Sequence, residues 1–185
     1  MTKYFLLTIL LLNFIAISSY GQENNNYLLW SSDHRLTAND FLIKTKQLET
    51  TPSFAQFSLN YQVGGFDFLT KNFNKKVRNN FMKSASWLDT TINFSHELNY
   101  QQTLFDICEI YARQFRKALR DNKKKLIKGV EIVTKLNADF MTEFSKRRIN
   151  YDRETKYGTD EPRQREWEYQ IQKELTELEN FSYSK

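Results

Sequence analysis

The chain has 185 residues, 40% of them apolar, and its 27 Lys and Arg against 22 Asp and Glu give a formal charge of +5. This length and apolar share suit one domain around one buried core, and the lone Cys108 excludes an internal disulfide framework. The small positive excess comes with no RNA- or DNA-binding motif, which speaks against nucleic acid as a partner.

Residues 1–21 stand apart from the rest. Lys3 gives a short positive start, Phe5 to Ile17 is an almost unbroken apolar run, and Ser19 and Gly21 place small residues ahead of a cut. This order predicts a signal peptide over 1–21, cleaved near Gly21-Gln22, and a secreted or periplasmic domain over 22–185. The apolar run is short for a spanning helix, and no Cys follows it to carry a lipid. No stable membrane insertion is expected after cleavage.

Short strands and turns come next. Tyr27 to Trp30 predicts a strand, and Ser31-Ser32-Asp33-His34 a polar turn with His34 exposed. Phe54, Phe57, Leu59 and Tyr61 show the partial alternation of a half-buried strand, and Gly64-Gly65 a turn. From Lys75 to Phe81 the alternation resumes, with Val77 and Phe81 inward and Lys76, Arg78 and Asn80 outward.

Leu98 to Leu119 predicts the central helix. Tyr100, Leu104, Ile107, Tyr111 and Phe115 fall on one stripe, flanked by Leu98, Phe105, Cys108, Ala112 and Leu119. An apolar arc this wide belongs to a helix packed on most sides, and Cys108 reads as a buried, inert thiol. Asp106, Glu109, Arg113 and Arg116 are spaced for side-chain pairs, with Glu109 to Arg113 an i,i+4 salt bridge. Ser95 reads as the helix cap. His96-Glu97-Leu98-Asn99-Tyr100 is an H-E-x-x-H with its last residue changed, so His96 is either a helix-start histidine or half of a metal site shared with Tyr100.

Lys125 to Arg148 predicts a second helix, weakened at Gly129, that returns antiparallel after the polar link Asp121-Asn122-Lys123. A last helix runs from Pro162 to about Phe181 and buries Trp167, Ile171, Leu175 and Leu178. Lys123-Lys124-Lys125 and Lys146-Arg147-Arg148 lie near helix ends and read as solvated charge.

The run FDICEIYARQFRKAL resembles one in a family of secreted bacterial proteins of unknown function, predicted to be zinc-dependent proteases, whose helix carries H-E-Q-x-H-F-D-I. Two His one turn apart hold zinc in that pattern, and the Glu is general base for a metal-bound water. With Phe105-Asp106-Ile107 as anchor, the two His positions are Tyr100 and Leu104, the Glu position is Gln101, and Gln102 matches. The family's Trp-Ser pair and Leu-Thr-x-x-Asp-Phe run match Trp30-Ser31, Leu36-Thr37 and Asp40-Phe41, and its Ser-Trp pair matches Ser86-Trp87. Its segment Tyr-Asp-x-x-Thr-x-His-Gly, followed by Gln and Trp, matches Tyr151, Asp152, Thr155, Gly158, Gln164 and Trp167. Tyr157 takes the place of the presumed third zinc ligand.

The resemblance implies an α+β, zincin-like domain with a small antiparallel sheet on about three main helices. It also implies that both ligands of the motif helix, the third ligand and the base have been replaced. The expected protein is catalytically inactive, holds no cofactor, and binds a protein or peptide in the remnant cleft. The alternatives are an active zinc-dependent hydrolase with a shifted or unrecognised site, and a structural envelope protein. Bound metal would favour the hydrolase, and a closed site with no cleft would favour the structural protein.

Overall fold

The computed structural model describes residues 26–45, 51–91 and 94–185. The expected signal peptide, residues 1–21, lies outside them. The architecture is α+β: six short strands precede three long helices. The strands are β1 (Tyr27–Leu29), β2 (Ile43–Thr45), β3 (Ser53–Phe54), β4 (Phe57–Tyr61), β5 (Val77–Met82) and β6 (Trp87–Asp89). The helices are α1 (Ser95–Asn122), α2 (Glu131–Glu154) and α3 (Glu161–Glu177).

The strands form two sheets rather than the one expected. The first is antiparallel, in the order β1-β5-β4, while in the second, β2-β6-β3, β2 runs parallel to β6. The stretch read as one strand from Phe54 to Tyr61 therefore splits, β3 joining one sheet and β4 the other. Within β5, Val77 and Phe81 are buried as expected, but Asn80, expected outward, is buried too. Beside it, Asn79 turns inward and donates to the Phe105 carbonyl of α1 at 3.2 Å.

Aromatic rings join the first sheet to α1. Phe57 stacks on Phe105 with centroids 5.2 Å apart, and Phe81 meets Phe41 edge-on at 5.0 Å. Such pairs add to the burial that drives the packing. Along α1 and α2 the ring pairs Tyr100–Tyr151, Tyr111–Phe144 and Phe115–Phe140 run in opposite chain directions. The two helices are thus antiparallel, and Leu104, Ile107, Cys108 and Phe115 are fully buried in the core.

The second helix begins later than its pattern suggests. Residues Lys123–Lys128 form 3-10 turns, Gly129 takes φ 130°, and α2 starts at Glu131. That backbone angle is open to glycine and closed to most side chains, so Gly129 ends one segment instead of weakening a continuous helix. At the start of α1 the cap position is Phe94, one residue before Ser95. Asp160 caps α3 by accepting from the Arg163 N–H at 3.3 Å. No helix among the described residues is long and apolar enough to cross a membrane.

Candidate functional site

Tyr100 and Leu104 sit one turn apart on α1, as a ligand pair requires, but the space before them is filled. Leu104 is fully buried. Tyr100 stacks on Tyr151 with planes 12° apart and donates its hydroxyl to Asp152 Oδ1 at 2.5 Å. Burial, and then the Asp152 carboxylate, push the Tyr100 phenol far above its usual range, so it remains a neutral donor. Gly158 closes the site from the other side: a Cβ there would stand 2.9 Å from Tyr100 Cβ.

At the base position, Gln101 Nε2 donates to Ser53 Oγ at 2.8 Å, and Ser53 donates to Glu97 Oε2 at 2.6 Å. An amide takes no proton from water, so general-base chemistry is absent there. Tyr157 is not buried with Tyr100 and Leu104, although it borders Asp152, which accepts from the Tyr100 hydroxyl. It is 63% exposed, with φ 58° at the end of α2, and lies on the surface beside Ile149, Arg153 and Lys156. Tyr100 and Leu104 are thus buried one turn apart on α1, and Tyr157 is exposed at the surface.

The zinc implied by the resemblance does not fit this set. Leu104 has no donor atom, the Tyr100 hydroxyl is committed to Asp152, and the Tyr157 side chain is exposed to solvent. No group of three or more His, Cys, Asp and Glu suited to a metal occurs among the described residues. The alternative ligand His96 directs Nε2 at the Gly158 carbonyl, as a donor, and its Nδ1 lies 3.4 Å from Glu97 Oε1. Ser53, Glu97 and His96 do bring a hydroxyl, a carboxylate and an imidazole together. The carboxylate is in the middle, however, so no imidazole draws the proton from the hydroxyl as a nucleophilic triad needs.

The residues that carry the resemblance have structural work to do. Asp40 accepts from the Thr37 N–H and hydroxyl, both at 2.8 Å, which sets the turn that buries Leu36 and Phe41. Ser86 Oγ donates to the Met82 carbonyl and accepts from the Gln56 N–H, tying the two sheets together. Thr155 Oγ1 donates to the Tyr151 carbonyl and accepts from the Gly158 N–H. Gln164 joins α3 to the core, accepting from the Tyr151 hydroxyl at 2.6 Å and donating to Thr103 Oγ1 at 3.0 Å.

The open site lies on the opposite side of α1. A cleft of about 330 Å³ is bounded by the chain leaving β1, by α1 and by α3. At a period of 3.6 residues, Gln102, Asp106 and Arg113 share one face, turned away from Tyr100 and Leu104. Asp106 is the chemical centre of this cleft. Its Oδ1 accepts from Trp30 Nε1 at 2.7 Å and from Gln102 Nε2 at 2.8 Å, whereas among the described residues Oδ2 has only Gln172 Nε2 at 3.5 Å. Burial raises the Asp106 pKa above the ordinary carboxylate value, against the hydrogen bonds that lower it. All its bonded donors are neutral. Arg113 is no counter-ion to Asp106, because it is held by Glu109, Glu179 and the Leu175 carbonyl. The Arg113 guanidinium instead covers the Trp30 ring at 5.2 Å.

Sequence reasoning left this cleft out. Its one trace is the pair Gln102 and Asp106, polar at i,i+4 within a helix otherwise packed on most sides. The expected Glu109–Arg113 bridge forms, at 3.1 Å, but in the buried interior. His34 is exposed in its turn and pairs with Asp40 at 3.1 Å. No protein-family model, curated protein or solved structure matches this chain.

Proposed function

We propose that the chain is an exported, catalytically inactive relative of zincin-like metalloproteases that binds an extended protein or peptide segment in the Trp30–Asp106 cleft. The observation that carries this reading is the contrast between the two faces of α1. The face that would hold a metal is packed with Tyr100 and Leu104, and the face bearing Asp106 lines an open cleft.

The strand edge favours an extended ligand. Asn26 accepts from the Lys83 N–H at 2.8 Å and the Trp30 N–H donates to Asn79 at 2.9 Å, with Leu28 opposite Phe81 between them. The alternation of an antiparallel pair then turns the N–H and C=O of Tyr27 and Leu29 to the outer side. β1 is an edge of its sheet among the described residues, and it leads directly into the cleft at Trp30. A peptide adding to that edge gains main-chain hydrogen bonds from β1 and side-chain selection from the cleft. The buried, incompletely satisfied Asp106 selects for a ligand N–H or ammonium group, whose arrival offsets the desolvation of the carboxylate.

The test is selection of a random peptide library on the protein, followed by affinity measurement for the selected peptides. Thr176, exposed on the α3 side of the cleft, provides a blocking variant that leaves the core untouched. Thr176→Arg should weaken binding by about tenfold or more, and N-methylation at alternate peptide positions should do the same. Peptides that bind Thr176→Arg as well as the unaltered protein would place the site elsewhere. The enzymatic rival is tested separately: protein incubated with zinc and desalted should retain far less than one equivalent. Stoichiometric zinc abolished by His96→Ala would establish the shifted metal site instead.

A further inference from the structure

A second surface, away from the cleft, combines exposed apolar side chains with an excess of positive charge. The 3-10 segment Gly65–Leu69 packs against the 3-10 segment Lys123–Lys128, and Lys123 Nζ reaches the Thr70 carbonyl at 3.4 Å. These two segments carry Phe66, 86% exposed, Leu69 at 71% and Ile127 at 65%, with Val130 following at 44%. Isolated exposed apolar residues are ordinary, but a group this exposed on two adjoining segments marks an interaction surface. None of the four lines a cleft described above or the small recess beside Phe73 and Arg116.

The charge says what that surface meets. Between Asp121 and Glu131 there are four lysines and no acid, and Lys71 lies two residues past the end of the other segment. Lys124, Lys125, Lys128 and Lys71 are exposed. Of the nearby carboxylates, Asp121 pairs with Lys117 and Arg120 and Asp67 with Lys76, while Glu131 stands exposed at the start of α2, so among the described residues four exposed lysines face one free acid. Apolar tips ringed by lysines match a surface whose outer layer is anionic and whose next layer is hydrocarbon. Nucleic acid would use the lysines and leave Leu69, Ile127 and Val130 in water.

We propose that the face formed by Phe66, Leu69, Ile127, Val130 and the lysines of Lys123–Lys128 is a peripheral docking surface for anionic phospholipid membranes. The lysines draw the protein to the headgroups, and the four apolar side chains enter the boundary between headgroups and acyl chains. This attachment is reversible and requires no spanning helix. It would hold the cleft of the bound protein at a membrane surface, and it stands whether or not the cleft takes peptides.

Cys108 is the chain's single cysteine and is fully buried, so Leu69→Cys in the full chain supplies one accessible thiol for an NBD label. Vesicles containing phosphatidylglycerol should shift the NBD emission to the blue and raise its intensity, and vesicles of phosphatidylcholine alone should not. Adding Lys124→Glu, Lys125→Glu and Lys128→Glu should reduce partitioning by at least about a hundredfold, on the basis of roughly fivefold per lysine. In label-free sedimentation, Phe66→Ser with Leu69→Ser should reduce binding by about tenfold or more. These positions are exposed, so circular dichroism should show an unchanged fold. An unshifted probe on protein that sediments with the vesicles would overturn the proposal, since another segment would then be the anchor. Anionic binding lost in the lysine variants but unchanged by Phe66→Ser and Leu69→Ser would overturn it too, because the surface would then be a general polyanion site.

Discussion

At the scale of single residues, Gly158 and Asp106 decide the character of the two faces of α1. Gly158 takes φ 80° and lies where any Cβ would press on Tyr100. Gly158→Ala therefore combines left-handed strain with overlap against a buried ring, and we expect a loss of about 2–4 kcal/mol, read by urea denaturation. Its match to the resembling family was legible in the sequence, but its reason was not, because the contact runs from the turn after α2 back to α1. Asp106 gives a prediction with a sign. Burial raises its folded-state pKa above the ordinary value of 3.8, so the folded state holds this proton more tightly than the unfolded chain. The stability it contributes is full below pH 3.8 and falls as pH rises through the raised value. Asp106→Asn keeps an oxygen to accept from Trp30 and Gln102 but has no charge to desolvate. Its stability relative to the unaltered protein should rise between acid and neutral pH, and a difference independent of pH would mean that the Asp106 carboxylate is solvated.

At the scale of elements, α1 is held to the C-terminal segment by a buried ion network. Arg113 and Arg116 are both buried and share the Glu109 Oε1 carboxylate oxygen at 3.1 and 2.7 Å. Their remaining donors reach the carbonyls of Leu175, Val77 and Phe181, which join α3, β5 and the final 3-10 turn to one face of α1. The spacing of Glu109 and Arg113 was legible in the sequence. The burial was not, since the carbonyls that complete it come from three distant parts of the chain. Glu109→Gln leaves two guanidiniums buried without their shared counter-charge and should destabilise by about 3–5 kcal/mol. Glu179, half exposed, also pairs with Arg113 at 3.0 Å, yet Glu179→Gln should lose less than about 1 kcal/mol because solvent screens that side. Equal losses in thermal or urea unfolding would mean that the network is wetter than its geometry indicates. The second sheet escaped the sequence for a related reason. Strands of two or three residues carry too little alternation to be read, and β2 finds its parallel partner β6 only through tertiary packing.

At the scale of the whole molecule, α1 is the element that the sheets, α2, α3 and the final turn all pack against. The length and width of its apolar stripe made that role legible, because a helix buried on most sides needs partners on most sides. What the stripe did not convey is the unequal outcome of the two sides, closed by Tyr100 and Leu104 and open at Asp106. A core built around one central helix should unfold as one cooperative unit. The three tryptophans are well placed to test this, since Trp30 borders the cleft, Trp87 lies in the second sheet and Trp167 sits on α3. Leu104→Ala removes a fully buried side chain and should lower stability by about 2–5 kcal/mol. If the molecule is one unit, tryptophan fluorescence and far-ultraviolet circular dichroism should report coincident urea transitions, displaced equally by the substitution. A fluorescence phase unmoved by Leu104→Ala, and lost in Trp87→Phe, would show that the second sheet unfolds apart from the helical core.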